Sequence, residues 1–317
     1  MPSNQSPLGA LPARFRRERV LIVGYGDIGR RIARRLTSAA SGGGSLAVLA
    51  MVRDRSRFSA LQASCVQPLW GDLDQPRSLR RLAGVATRVL YLAPPPSLQE
   101  GEAGWQRDDR SRFLLASLLL GRLPRSLVYA STSGVYGDCQ GQWIDETRSV
   151  APATPRALRR VDAEQRMRDA GLKGQVASIV RIPGIYAPDR EGGTPRARLL
   201  RGTPVLQTQD DVYTNHIHAE DLARICIRAL WRGKPQRIYH ASDDTQMKMG
   251  DYFDLAADLY GLARPARISR QQAVAELPAM LLSFMSESRR LSNQRLKREL
   301  KLQLNYPTVR EGLAQPH

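Results

Sequence analysis

Short apolar runs alternate with segments of helical periodicity along the first half of the chain. The runs are rich in Val, Leu, Ile and Ala, as in strands that are buried on both faces of a parallel sheet. Strands are predicted at 20–23, 46–52, 66–70, 88–93, 126–130 and 175–181. Helices are predicted at 30–36, 77–82, 107–120, 219–231, 249–260 and 271–288. This alternation predicts an α/β fold, a Rossmann-type doubly wound parallel sheet that binds ligands at the carboxyl ends of its strands.

The same pattern divides the chain into three parts. Residues 1–18 contain Pro and Arg without periodicity, which predicts a flexible N-terminal arm. Residues 19–185 carry the regular alternation and form the predicted Rossmann domain. Residues 186–317 are less regular and richer in Pro and Gly, so we predict a smaller C-terminal lobe that is interleaved with the Rossmann domain. The Ser-Gly-Gly-Gly-Ser segment at 41–45 predicts a flexible link.

Charge is the most unusual feature of the composition. The 317-residue chain has 48 Lys and Arg against 30 Asp and Glu, a formal net charge of +18. The basic residues are scattered, and no zinc-finger or aromatic RNA-binding motif accompanies them, so we predict no specific nucleic-acid partner. Weak, salt-sensitive binding to polyanions is expected from the charge alone.

Neither the cysteines nor the apolar stretches indicate secretion or a membrane. The 3 cysteines are widely spaced and form no disulfide framework or zinc-ligand pattern. The longest strongly apolar stretch, 113–120, is far shorter than the roughly 20 residues that cross a bilayer, and residues 1–19 have no apolar signal core. We therefore expect a cytoplasmic protein without a membrane partner.

A glycine-rich loop, Gly-Tyr-Gly-Asp-Ile-Gly, follows the first predicted strand and opens the first predicted helix. Its first glycine permits a tight turn, the second lets the backbone approach a diphosphate, and the third allows the helix to pack closely on the strand. The N-terminus of the helix then faces the phosphates. In this context the loop predicts a dinucleotide site, and the alternative is a plain glycine turn. The predicted contacts are Gly24, Gly26, Asp27, Ile28 and Gly29.

The end of the second strand distinguishes NAD from NADP. An acid there accepts hydrogen bonds from the ribose hydroxyls of NAD, whereas an arginine binds the 2′-phosphate of NADP. Arg53 follows the strand and predicts NADP, but a shift of one residue would put Asp54 there and favour NAD. Asp72, after the third strand, is predicted to accept a hydrogen bond from the adenine amino group or, alternatively, to cap the next helix.

Six segments carry motifs that occur together in one family. They lie at 24–29, 71–73, 129–138, 181–188, 215–223 and 239–244. With them the chain resembles, over residues 19–313, the extended branch of the short-chain dehydrogenase/reductase superfamily, which contains nucleotide-sugar epimerases and dehydratases. The resemblance implies an NAD(P)-binding Rossmann domain with NADP or NAD bound. Ala93 and Ser131 are predicted as further cofactor contacts.

The chain departs from this family at the catalytic pair Tyr-x-x-x-Lys. The resemblance makes Thr132 the catalytic hydroxyl and would place the tyrosine and the lysine at positions 156 and 160, which hold Arg156 and Arg160. No tyrosine occurs between Tyr136 and Tyr186. An arginine binds anions but is a poor proton donor. We therefore assign Arg160 to the cofactor. The resemblance places three phenols near the pocket, Tyr136, Tyr186 and Tyr213, and of these Tyr186 is our candidate for the missing acid.

Three further residues are assigned to the substrate. Ser133 flanks the catalytic hydroxyl, and Arg181 and Asn215 are candidates to hold a diphosphate or a carboxylate. His216 and His218 are two residues apart, a spacing that puts both on one face of a strand and permits metal binding. The resemblance places them in a structural turn before a helix, so we predict no metal.

The sequence is consistent with two functions. The first is an enzyme, a reductase, epimerase or dehydratase that acts on a nucleotide sugar or a similar anionic carbonyl or hydroxyl compound. The second is a non-catalytic NADP(H)-sensing or binding protein that acts through an acidic partner. The retained Thr132 favours the first function and the missing Tyr-Lys pair favours the second. Either is expected as a monomer or a homodimer.

Overall fold

The computed structural model describes residues 18–40, 46–97, 101–102 and 104–314. The predicted arm, 1–18, lies outside the described residues except for its last residue, and the predicted link, 41–45, lies wholly outside them.

Parallel strands of the described chain form one seven-stranded sheet. They are β1 (Glu18–Val23), β2 (Leu46–Val52), β3 (Val66–Trp70), β4 (Arg88–Tyr91), β5 (Ser126–Thr132), β6 (Ala177–Ile182) and β7 (Arg237–His240). The order across the sheet is β7-β6-β5-β4-β1-β2-β3. Val23 of β1 lies opposite Met51 on one side and Tyr91 on the other. The direction of winding reverses between β1 and β4, where such sheets have a ligand crevice.

Helices connect and cover these strands. They are α1 (Asp27–Ala40), α2 (Phe58–Ala63), α3 (Pro76–Leu79), α4 (Asp109–Leu118), α5 (Pro155–Leu172), α6 (Arg196–Leu200), α7 (Ala219–Arg232), α8 (Met249–Tyr260), α9 (Arg270–Glu276), α10 (Ala279–Phe284), α11 (Gln294–Leu300) and α12 (Val309–Leu313). Short 3₁₀ turns occur at Arg55–Arg57, Arg80–Leu82 and Ser133–Tyr136.

The alternation of side chains along β1 explains the two helical layers. Successive residues of a strand point to opposite faces of the sheet. Val20 and Ile22 join the apolar core that contains residues of α1, α7 and α11, while Leu21 and Val23 join the core that contains residues of α3, α4 and α5. The predicted doubly wound α/β fold is confirmed.

Residues after 185 supply a lobe and also complete the sheet. Strand β7 and helices α7 and α11 belong to the sheet layers, whereas α6, α8 and α12 pack around a separate apolar core that includes Tyr252 and Phe253. No helix in the described ranges is long and apolar enough to cross a membrane. Short strand pairs outside the main sheet are Gly184–Tyr186 with His216–His218, Val205–Leu206 with Arg267–Ile268, Tyr213–Thr214 with Met247–Lys248, and Trp143–Ile144 with Arg290–Leu291.

Two predicted elements are wrong in extent. Helix 271–288 is divided into α9 and α10, because Pro278 has no backbone N–H and disfavours the helical conformation at Leu277, which is extended. Strand 88–93 ends at Tyr91, because the backbone N–H groups of Leu92 and Ala93 both donate to the Val23 carbonyl oxygen, at 2.7 and 3.1 Å. The other predicted elements are present with ends shifted by a few residues.

Candidate functional site

Three cavities meet along the carboxyl ends of the sheet strands. The outer cleft, about 350 Å³, is lined by the glycine loop and by residues that follow β2, β3 and β4. The inner pocket, about 160 Å³, lies at the ends of β5 and β6 and shares Leu92 with the outer cleft. The lobe pocket, about 400 Å³, shares Pro183 and Ile185 with the inner pocket. The cavities therefore form a contiguous series from the glycine loop to the lobe.

The glycine loop forms a cradle at the outer cleft. Gly24 has φ +100°, and a Cβ there would lie 2.8 Å from the Ala93 Cα. A Cβ at Gly29 would lie 2.8 Å from the Gly24 carbonyl oxygen. Gly26, by contrast, is exposed and has no atom within 4 Å of its Cβ position. The loop is thus closed towards the protein and open at Gly26, in front of α1, which fits a bound diphosphate.

Arg53 and Asp54, the two candidates for the cofactor ribose, differ in their surroundings after β2. Arg53 is exposed and lines the outer cleft. The carboxylate of Asp54 instead accepts hydrogen bonds from the Ser56 N–H at 2.8 Å and the Ser56 Oγ at 2.7 Å, which hold the pKa of Asp54 below its usual range. Arg57, which the sequence analysis did not single out, also lines the cleft and donates to the Tyr25 carbonyl oxygen at 3.2 Å.

Asp72, after β3, and Ala93, after β4, also line the outer cleft. Asp72 Oδ1 accepts a hydrogen bond from the Asp74 N–H at 3.0 Å, and the N-cap of α3 is Gln75, so Asp72 does not cap that helix. Asp74 forms two hydrogen bonds with Arg110, at 2.7 and 2.6 Å, and both residues also line the cleft. The predicted contacts Asp72 and Ala93 therefore lie on the same cleft as the glycine loop.

The side chains of Asp27 and Ile28, at the start of α1, lie in different surroundings. The Asp27 carboxylate is bound by Arg31 at 3.1 Å and lies 3.3 Å from Arg190 Nε, and Arg31 also binds Asp189 at 2.8 Å. Ile28 lines the inner pocket. The Asp27 side chain therefore does not line the outer cleft. Through Arg31 and Arg190 it instead holds the loop that carries Asp189 and Arg190.

Strand β5 ends with two hydroxyl residues in the wall of the inner pocket. Thr132 is half-buried, and its Oγ1 accepts a hydrogen bond from the Gly134 N–H at 3.2 Å. Ser131 is 3% exposed, and its Oγ donates to Glu164 Oε1 at 2.6 Å. Thr132 is therefore the more accessible hydroxyl of the two.

Helix α5 places two arginines one turn apart at the inner pocket. Arg156 is exposed, and partial burial together with the neighbouring Arg160 lowers its pKa. Arg160 is 9% exposed, and its Nη1 donates to the Tyr129 Oη at 3.1 Å and to the Ala130 carbonyl oxygen at 2.7 Å. These are the positions at which the resemblance expects tyrosine and lysine.

Arg181 does not reach any of the three cavities. It is 2% exposed, and its Nε and Nη2 donate to the Glu164 carboxylate at 3.0 and 2.6 Å. Its guanidinium also lies 4.6 Å from the ring centre of Tyr136, whose hydroxyl is 2.5 Å from His240 Nε2. Because a buried carboxylate occupies the guanidinium, this placement does not support the predicted substrate contact.

The lobe pocket contains a cation that the sequence analysis missed. Arg198 of α6 lines this pocket, with its guanidinium 4.3 Å from the ring centre of Phe253. Its Nε and Nη2 are buried and have no hydrogen-bond partner among the described residues. Burial and the nearby Arg201 lower the pKa of Arg198 to about 10. A charge buried without a partner is costly, so this arginine indicates an anionic ligand.

Ser133 and Asn215 also line the lobe pocket. Ser133 is 4% exposed. The side chain of Asn215 donates to the Arg289 carbonyl oxygen at 2.9 Å and accepts from the Leu291 N–H at 2.8 Å. Asn215 thus fixes the returning C-terminal segment, and its amide group is already engaged on both sides.

Tyr186 is buried beside the two histidines. It is 2% exposed, its hydroxyl donates to the Thr308 carbonyl oxygen at 3.2 Å, and burial raises its pKa far above the usual value. These features do not support it as a proton donor. The ring of His216 lies 4.2 Å from that of Tyr252, and burial lowers the pKa of His216 to about 4. The described residues contain no group of three side chains that could hold a metal ion.

A family model places the chain among known proteins. The model described as the NAD dependent epimerase/dehydratase family matches residues 20–241, more than half of the chain. The chain belongs to this family. The matched segment begins within β1 and ends at the residue after β7, so it includes all but the first two residues of the sheet, and the outer cleft and the inner pocket. As a member of this family, the chain is a nicotinamide-dependent protein of the oxidoreductase kind.

Solved structures share the fold over almost the whole chain. A functionally unknown conserved protein from Silicibacter pomeroyi DSS is 27% identical, with a TM-score of 0.70 and coverage of 94% of this chain and 97% of that one. A dTDP-glucose 4,6-dehydratase from Streptomyces venezuelae with NAD bound is 19% identical, with a TM-score of 0.73 and coverage of 93% and 94%. A UDP-glucuronic acid 4-epimerase from Bacillus cereus in complex with NAD is 15% identical, with a TM-score of 0.73 and coverage of 93% and 96%. The last two identities show the fold alone. No curated protein sequence matches the chain.

Proposed function

We propose that this epimerase/dehydratase-family protein is an enzyme that prefers NADP and acts on an anionic carbonyl or hydroxyl compound of the nucleotide-sugar class. The observation that carries the proposal is the contiguous series of cavities, with the glycine cradle at one end, Thr132 in the middle and the unpartnered Arg198 at the other. The glycine cradle would hold the cofactor diphosphate, and Arg160 would contact the cofactor near the inner pocket.

The preference for NADP rests on the residues that face the outer cleft after β2. Arg53 and Arg57 line this cleft, whereas the Asp54 carboxylate is engaged by Ser56. A guanidinium matches the geometry and charge of a 2′-phosphate. An acid that would accept hydrogen bonds from the ribose hydroxyls of NAD is not presented at this point.

Arg53→Ala is expected to weaken NADPH about 10- to 100-fold and to leave NADH within about twofold, because a hydrogen bond to a charged group contributes about 1.5–3 kcal/mol. Calorimetric titration at two salt concentrations measures this and separates specific from non-specific anion binding. Arg55→Ala is the matched control, since Arg55 lies 5.2 Å from the Trp70 ring centre and does not line the cleft. Equal losses for NADPH and NADH would reject the NADP preference, and a wild-type protein that binds neither would reject the cofactor site.

The substrate class rests on the lobe pocket. Arg198 presents a buried guanidinium without a partner among the described residues, and the pocket wall also contains Tyr252 and Phe253. The pocket's other arginine, Arg289, is paired with Glu287, so the aromatic surface and the cation of Arg198 suit a ligand with a planar ring and an anionic group. The structural relatives named for a dTDP-glucose dehydratase and a UDP-glucuronic acid epimerase act on compounds of this kind.

Few side chains of the inner pocket could take part in the reaction. When bound, the cofactor supplies or accepts a hydride at its nicotinamide ring. The Thr132 hydroxyl would hold the substrate oxygen, and Glu164 would keep Ser131 in place beside it. The described residues that line the inner pocket include no phenol, so a proton would have to be exchanged with water through the Thr132 hydroxyl.

Thr132→Ala and Arg198→Gln are expected to separate chemistry from substrate binding. Thr132→Ala should lower the kcat of any nucleotide-sugar turnover at least about tenfold and leave the affinity for NADPH unchanged. Arg198→Gln should weaken UDP-glucose about tenfold, with NADPH affinity unchanged. Unchanged kcat in Thr132→Ala would end its assigned role. Full NADPH affinity with no turnover in the wild type would favour the non-catalytic NADP(H)-binding protein with an acidic partner, which the arginines at positions 156 and 160 support.

A further inference from the structure

The inner pocket carries positive charge that no acid of its wall balances. Two arginines line it, Arg156 and Arg160, and no aspartate or glutamate is among its described lining residues. The carboxylate behind Ser131 is that of Glu164, which is already paired with the buried Arg181. No lining acid therefore neutralises the arginine pair, and the carboxylate that acts on Arg160, that of the buried Asp108, lies outside the pocket lining.

Arg160 contributes a buried charge to this pocket. It is 9% exposed and bonds only to uncharged oxygens, those of Tyr129 and Ala130. Its Nε is buried and has no hydrogen-bond partner among the described residues. The buried Asp108 carboxylate acts on Arg160 without a hydrogen bond to it, so an anion in the pocket would further offset the cost of burying the guanidinium.

Arg156 adds an accessible charge one helical turn away. It has no hydrogen-bond or ion-pair partner within the part of the chain that the structure describes. It lies in the first turn of α5, which is 18 residues long, where the helix dipole is positive and a cation is unfavourable. Like charges four residues apart on a helix also repel. Three electrostatic contributions thus favour an anion at the same point.

We propose that the inner pocket binds a carboxylate of the substrate through Arg156, with Arg160 behind it and Thr132 at the adjacent oxygen. Within the nucleotide-sugar class, the substrate would then be one whose sugar carries a carboxylate next to the reacting carbon, the arrangement found in a 2-hydroxy or 2-oxo acid. A planar guanidinium pairs with a planar carboxylate through two parallel hydrogen bonds. The small volume of the pocket, about 160 Å³, also favours a carboxylate over a larger anion. This assignment deepens the proposed function and relies on it for the place of Thr132.

The cofactor diphosphate is the second possible source of the anion, and the test separates it from a substrate carboxylate. Lactate is the probe, and lactamide is its uncharged counterpart. Binding to the NADPH-loaded protein is measured by saturation-transfer NMR of the probe at constant ionic strength. Because both lactate and NADPH are in the reduced state, no hydride transfer interferes. The variants are Arg156→Gln, Arg156→Lys and, as a matched loss of charge on the same helix, Arg168→Gln, whose exposed arginine lies outside the pocket.

We expect Arg156→Gln to weaken lactate at least about tenfold, Arg156→Lys to restore part of the loss, and Arg168→Gln to match the wild type. NADPH affinity should be equal in all variants. The proposal is overturned if lactamide binds as well as lactate, if Arg156→Gln binds lactate normally, or if the wild type binds no lactate. A selective loss of NADPH in Arg156→Gln would assign the anion to the cofactor instead. If the wild type binds no NADPH, the proposed function fails, and lactate titration of the cofactor-free protein still decides the anion site.

Discussion

Gly24→Ala is expected to abolish NADPH binding and to lower the free energy of unfolding by about 1–3 kcal/mol. The residue has φ +100°, which a side chain strains, and its Cβ would lie 2.8 Å from both the Ala93 Cα and the Leu92 carbonyl carbon. Backbone atoms cannot rotate away as side chains do, so the loop between β1 and α1 must move. Calorimetric titration with NADPH and urea denaturation measure the two effects.

Two glycines separate the causes of this loss. Gly202→Ala introduces a side chain at a comparable φ of +64° with no atom within 4 Å, so it reports backbone strain alone. Gly26→Ala adds a Cβ with no protein atom within 4 Å, so we expect normal stability but weaker NADPH binding, because the new methyl group occupies the space of the ligand. Gly24→Ala with wild-type NADPH affinity would show that the loop is not the diphosphate site.

The glycine loop can be predicted from sequence because most of its requirements are local. Strand, turn and helix follow one another within the range 20–40, and Gly29 packs against Gly24 and Ile22, whereas the atoms that exclude a side chain at Gly24 belong to the distant residues Leu92 and Ala93. The choice between Arg53 and Asp54 had a local signal too. Ser56 two residues after an aspartate is the pattern of a side-chain turn, in which the Asp54 carboxylate accepts a hydrogen bond from the Ser56 N–H.

Pairing between distant segments is what the sequence does not show. Arg181 is engaged by Glu164, 17 residues earlier on another element, and Asn215 by the backbone of Arg289, 74 residues later. A charged or amide side chain at the end of a strand has the same appearance in sequence whether it faces a ligand or a buried partner. Arg198 is the opposite case. It indicates a ligand because its buried Nε and Nη2 have no hydrogen-bond partner among the described residues, and a sequence does not show that a partner is missing.

Glu164→Ala is expected to destabilise the protein by about 3–5 kcal/mol, because it leaves the Arg181 charge buried without a counter-charge. The two residues are 4% and 2% exposed at their side chains, and their shorter N–O distance is 2.6 Å. Replacing both partners by apolar residues of similar size, Glu164→Leu with Arg181→Met, is expected to recover most of this loss, since a buried pair is itself costly to desolvate. Urea denaturation of the single and double variants measures the coupling energy.

Glu164→Gln distinguishes charge from shape, because it can keep the hydrogen bond from Ser131, which lies next to Thr132. If Glu164→Ala loses less than about 1 kcal/mol, Arg181 must have found another partner or water. Its assignment as a structural residue, and with it the rejection of a substrate role, would then have to be reversed.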